Sequence, residues 1–128
     1  MASLRTQVVE TVYAAWNSGN LDDMFAVMAP DMIWESPVGA HGYPDAFGLT
    51  EFDDKVRSAA RAWRGWRVEV DRTLRTDEAI LVTGAHVCDS GGSVAFRHLW
   101  DVRDGQLWRL REQIDSTALL HVLAGIAA

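Results

Sequence analysis

The stretch from Ser93 to Asp115 constrains this chain most. Ser93 to Arg103 alternates, putting Val94, Phe96, His98, Trp100 and Val102 on one face and Ala95, Arg97, Leu99, Asp101 and Arg103 on the other, which is the period of a half-buried strand. Asp104-Gly105 follows, the dipeptide that two-residue hairpin turns favour. Gln106 to Asp115 alternates in its turn: Trp108, Leu110, Glu112 and Ile114 share a face opposite Arg109, Arg111, Gln113 and Asp115. Paired across the turn, the two apolar faces carry one imidazole and one carboxylate among aromatic rings. Such a pair is either a satisfied set of buried polar groups or an active site.

The rest of the chain supplies what such a hairpin packs against. Val8, Val9, Val12, Tyr13 and Trp16 recur at helical spacing between about Ser3 and Ser18. Gly19 suits a left-handed helix end, and Asn20 caps a short helix carrying Leu21, Met24, Phe25 and Met28, which Pro30-Asp31 ends. Met32 to Ser36 reads as a strand with Met32, Trp34 and Ser36 on one face. Pro37 to Gly48 is a glycine-rich loop of the kind that rims a pocket. A third helix spans about Leu49 to Trp63, with Phe52, Val56, Ala59, Ala60 and Trp63 inward. Two more strands follow, Trp66 to Leu74 with Trp66, Val68 and Val70 on one face, and Ala79 to Cys88, whose two faces are equally apolar, so His86 can point either way. The tail from Ser116 to Ala128 is helix-prone or disordered. Helices first and antiparallel strands after give a single α+β domain over residues 1–128, with about three N-terminal helices packed on one face of a curved sheet.

A formal charge of −6 gives no electrostatic reason to expect nucleic acid or an anionic membrane as partner. The single Cys88 has no internal disulfide partner and stands in no metal-type Cys/His spacing, so no metal and no cofactor is expected. No apolar run reaches membrane-spanning length, and the start of the chain does not read as a leader, which sets the expectation of a cytoplasmic protein. Six tryptophans in 128 residues suggest either a very aromatic core or a cavity lined for a flat ligand.

The segments Tyr-Ala-Ala-Trp-Asn-Ser-Gly-Asn-Leu-Asp at 13–22, Ala-Pro-Asp-Met-Ile-Trp-Glu-Ser-Pro at 29–37 and Val-Arg-Asp-Gly-Gln-Leu-Trp-Arg-Leu-Arg-Glu-Gln-Ile-Asp at 102–115 resemble the SnoaL-like polyketide cyclase and ketosteroid isomerase group of the nuclear transport factor 2-like superfamily. The resemblance implies a cone-shaped curved antiparallel sheet wrapped around the helices, and a homodimer through the sheet's outer face. It also tests mechanisms position by position. The isomerase's proton-shuttling aspartate falls at Ser36, its oxyanion tyrosine at Val12 and its second oxyanion donor at His98, so that mechanism is not expected. The epoxide hydrolases need an Arg-x-Asp pair where Phe96 and His98 stand. The SnoaL-like acid/base aspartate falls at Glu112, which fits.

Glu112 is accordingly the candidate acid/base. Its surroundings of Trp108, Leu110, Ile114 and Trp100 are expected to raise its pKa by desolvation, with His98 beside it as proton partner or oxyanion donor. Tyr13 and Ser36 offer hydroxyls. Trp16, Trp34, Ser36, Trp63, Trp66, Trp100, Trp108 and Leu110 are the candidate substrate contacts. The function expected is small-molecule acid/base chemistry without cofactor, of cyclase, isomerase or hydratase type, on an apolar cyclic ketone. A binding module for an apolar metabolite and a protein-interaction domain with a packed interior stay open beside it.

Overall fold

A computed structural model describes residues 4–35, 45–76 and 78–114. The elements are α1 (Leu4–Ser18), α2 (Leu21–Phe25), β1 (Met28–Glu35), β2 (Ala46–Phe47), α3 (Leu49–Ala62), β3 (Trp66–Arg75), β4 (Ala79–Cys88), β5 (Ser93–Arg103) and β6 (Gln106–Ile114). The strands form one six-stranded sheet in the order β2-β1-β6-β5-β4-β3, antiparallel throughout except where β1 runs parallel to β6. This is the expected α+β arrangement, with the helices on the sheet's concave face.

The helices bury the faces that their spacing dictates. Val9, Val12 and Tyr13 of α1 and Phe52, Val56 and Ala59 of α3 are buried, and they meet Met32, Trp34, Ile80, Val82 and Trp100 from the sheet in one core. Gly19 takes φ +78°, the left-handed conformation that ends α1. Asn17, just before it, does more than stop a helix. Its amide accepts from the Val68 N–H at 2.7 Å and donates to the Val68 carbonyl at 2.9 Å, tying α1 to the edge strand β3.

The strands depart from the sequence expectation at three places, one of them β3, whose pairing with β4 shifts between Val70 and Arg72 and leaves Val70, expected inward, exposed. Pro30-Asp31 does not end α2; it lies inside β1, which starts at Met28. The pairing of β1 with β6 shifts between Met28 and Ile33, and this irregular stretch is where a residue without a backbone N–H is tolerated. In the β5–β6 hairpin Asp104 and Gly105 both have positive φ, 53° and 76°, as the expected two-residue turn requires. Close to that turn, however, Asp101 faces Arg109 while Val102 faces Leu107. Trp108 is therefore the extra residue of a β-bulge, which flips side-chain parity. Leu107 turns inward and is fully buried. Trp108 turns outward, where the guanidinium groups of Arg103 and Arg109 lie over its ring at 5.1 and 4.8 Å.

Candidate active site

From Leu110 onward β6 is back in the expected phase. His98 pairs with Glu112 across the hairpin, and residues facing each other on antiparallel strands share a side of the sheet. The side chains meet: His98 Nε2 lies 2.7 Å from Glu112 Oε2, and the two side chains are 9 and 12% exposed. The other imidazole nitrogen, Nδ1, lies 2.8 Å from the Tyr13 hydroxyl. That oxygen also accepts from the Trp100 indole N–H at 2.8 Å, and the Trp34 indole N–H reaches Glu112 Oε1 at 3.3 Å.

Donor chemistry orders this chain. A carboxylate only accepts, so His98 donates through Nε2; a neutral imidazole then accepts at Nδ1, which takes the Tyr13 O–H. The direction of donation is Trp100 to Tyr13 to His98 to Glu112, with every group satisfied. Desolvation pushes the Glu112 carboxyl up, as the sequence led us to expect, but the hydrogen bond from His98, the two nearby imidazoles of His98 and His86 and the Trp34 indole outweigh it. The net direction is down, opposite to the expectation. Glu112 is a carboxylate at neutral pH, poised to accept a proton. Burial raises the Tyr13 hydroxyl's pKa, which keeps that group a neutral relay.

These groups line a cavity of about 80 Å³ between the sheet, α1 and α3. Of the candidate contacts, Trp16, Trp34, Trp63, Trp100 and Leu110 border it, with Glu112 and His98. Trp108 does not, for the bulge already described. Trp66 does not either: it stands edge-on behind Trp63, ring centroids 5.2 Å apart, over the β4–β5 turn, where a side chain at Gly92 would strike its ring. Ser36, with most of the loop from Pro37 and all of the tail from Ser116, lies outside the described residues. Among the described residues no group of three or more metal-ligating side chains occurs, and no helix is long and apolar enough to cross a membrane.

His86, whose direction the sequence left open, points into this cavity and is 6% exposed. Its signal was in the turn. Counting back from Asp89-Ser-Gly-Gly pairs His86 with Val94, and Val94 shares its face with His98. His86 stacks on Trp63 at 4.3 Å between centroids, and its Nδ1 is buried with no hydrogen-bond partner among the described residues. Burial, then the neighbouring His98, lowers its pKa to about 4 against the pull of Glu112, so it is neutral at physiological pH.

Comparison with known proteins agrees with the fold. The family model described as SnoaL-like domain matches residues 9–110. No curated protein matches the chain. Among solved structures, TerC co-crystallised with polyporic acid superposes with a TM-score of 0.82 at 19% identity, covering 95% of this chain and 99% of that one. An NTF2-like protein of unknown function from Burkholderia pseudomallei gives 0.81 at 22% identity, covering 94 and 98%. A putative polyketide cyclase from Sinorhizobium meliloti gives 0.71 at 19% identity, covering 84 and 94%. At these identities the superpositions establish the NTF2-like fold.

Proposed function

The chain belongs to the SnoaL-like domain family, and on that premise we propose that it is a small enzyme performing acid/base chemistry on an apolar carbonyl compound, with Glu112 as the base and without a cofactor. The observation that carries this reading is the Glu112 carboxyl group at the end of a directed hydrogen-bond chain, set in an otherwise apolar and aromatic cavity. A carboxylate so placed is desolvated, oriented and able to take a proton from an acidic C–H. His98 has both nitrogens engaged, so it acts here as a positioning residue that orients Glu112. The cavity is smaller than the roughly 150 Å³ that houses benzene in an engineered apolar core. The reacting part of the substrate is therefore smaller than one ring, and a ring enters only if lining side chains turn aside. Cyclisation of the kind suggested by the polyketide cyclase neighbour and isomerisation both begin with such a proton transfer; in a hydration Glu112 would instead take the proton from the attacking water.

The test is a panel of apolar ketones and quinones screened by thermal shift, followed by Glu112→Gln on any compound turned over. Turnover should fall by about 10²–10⁴-fold while affinity changes little; a Gln variant of unchanged turnover removes Glu112 from the mechanism. A binding module remains the second reading, and one observation favours it: Trp100, Tyr13 and His98 satisfy each other fully, as a rigid pocket wall does. A compound bound by the wild type, unconverted, and held as well by the Gln variant would establish it.

A further inference from the structure

We propose that His86 is the group that holds the substrate's carbonyl oxygen: a neutral imidazole whose free Nδ1 presents an N–H to the oxygen while Glu112 removes the neighbouring proton. The inference deepens the proposed function and rests on Glu112 as the base. His98, the oxyanion donor expected from the sequence, has no nitrogen left for a ligand, because Tyr13 holds one at 2.8 Å and Glu112 the other at 2.7 Å. His86 borders the same cavity, and its Nδ1 is buried with no hydrogen-bond partner among the described residues. A buried ring nitrogen left unpaired is destabilising, and a phenylalanine stacked on Trp63 would fill this space without that cost. A ligand oxygen cancels it.

The surroundings fix what kind of donor His86 is. Trp63 stacks on one face at 4.3 Å, Phe96 is tilted against it at 5.4 Å and Trp16 meets it edge-on at 6.0 Å. The charged or titratable neighbours that act on it are His98 and Glu112. Because the ring stays neutral, it donates a hydrogen bond without giving up a full charge, the role that a neutral histidine fills when it polarises a carbonyl. In the step itself Glu112 takes the proton from the carbon next to the carbonyl. The C–H electron pair becomes the C=C bond, the C=O π pair moves to oxygen, and the resulting enolate oxygen accepts the His86 N–H. The proton on Glu112 returns to carbon or oxygen when the enolate reacts on. The substrate class this selects is a small enolisable ketone whose oxygen lies toward Trp63 and whose acidic C–H lies toward His98.

Pentafluorophenolate, a single-ring anion with one oxygen, stands in for the enolate, and pentafluorobenzene is the same ring without the oxygen. Glu112→Gln stands in for the base after it has taken the proton. In Glu112→Gln the phenolate should bind more tightly than the arene, measured by fluorine NMR titration. Adding His86→Phe should cut that preference about tenfold or more, the worth of a hydrogen bond to a charged oxygen, with arene affinity within about twofold. His86→Gln, which keeps a donor, should keep most of the preference. Nitrogen-15 NMR of the imidazoles in Glu112→Gln, which needs no His86 variant to fold, should show phenolate shifting His86 Nδ1 and leaving His98 in place. If the arene binds but the preference ignores His86→Phe, or the nitrogen shift appears at His98, the assignment of His86 is overturned while Glu112 as base stands. If neither compound binds, the assignment of His86 falls, while Glu112 as base is still judged by the turnover of small ketones in Glu112→Gln.

Discussion

The β5–β6 hairpin buries a carboxylate on each face, and the two are held in opposite ways. On the outer face Asp101 is 8% exposed and accepts from Arg109 Nε at 2.6 Å and Arg111 Nη2 at 3.1 Å. Guanidinium groups do not release protons in this pH range, so that cluster is locked. On the inner face Glu112 is held by single N–H donors from His98 at 2.7 Å and Trp34 at 3.3 Å, and it borders a cavity. Burial of a carboxylate alone thus does not mark a site; the partner's chemistry and the neighbouring space do.

The largest effect should come from breaking the inner pair. His98→Leu leaves Glu112 desolvated without its strongest donor and the Tyr13 O–H without an acceptor. Stability should fall by about 3–5 kcal/mol in urea unfolding, and the Glu112 pKa, no longer held down, should rise above the ordinary carboxylate range. The double variant His98→Leu, Glu112→Leu should be more stable than the sum of the single losses predicts, because two apolar groups replace a pair rather than orphan one member. A loss below about 1 kcal/mol in the single variant would mean that solvent, not His98, satisfies the carboxylate.

Acid should strain the inner region next. Between its ordinary pKa of 6.5 and about 4, the unfolded chain binds a proton at His86 that the folded chain refuses, so stability declines as pH falls through that window. Its full size is about 3 kcal/mol. Glu112 acts lower: its pKa is depressed in the fold, so its contribution is complete above the unfolded value of about 4.3 and disappears as pH falls through the folded one. His86→Phe should remove the decline between pH 6.5 and 4 and leave the lower limb. A variant with an unchanged profile across that window would show that His86 is not the group responsible.

The inner region was also the more legible in the sequence. Strict alternation and a two-residue turn fixed the phase of β5, and through it the meeting of His98 with Glu112, because a one-residue slip would have reversed every side chain. The helical faces of α1 and α3 were legible for the same reason of period. Failures cluster where the backbone departs from its period. The bulge at Trp108 changed parity within a run that alternates perfectly on paper, and no residue type announces it. Pro30 suggested an ending but marks an irregular stretch inside β1. On the apolar strand β4 both parities were equivalent, and only the register of its turn placed His86. The sign of the Glu112 shift was out of reach because it is a balance: burial was visible in the pattern, whereas the Trp34 indole and the Tyr13–His98 chain come from elements far apart in sequence.

The smallest effect should come from the outer carboxylate, and it tests the comparison most sharply because both residues sit on one hairpin. Asp101→Asn removes the charge but keeps the shape and a carbonyl acceptor. Arg109 and Arg111, whose side chains are 29 and 39% exposed, can turn their guanidinium groups to water, which neither His98 nor Tyr13 can do. Stability should therefore fall by only about 1–2 kcal/mol, with part of the loss screened away at high salt. Ligand affinity and turnover should stay at the wild-type level, since the sheet separates Asp101 from the cavity. A loss as large as that of His98→Leu, or any fall in turnover at full occupancy of the folded state, would show that the outer cluster positions β6 and hence Glu112. The two faces of the hairpin would then be one functional unit.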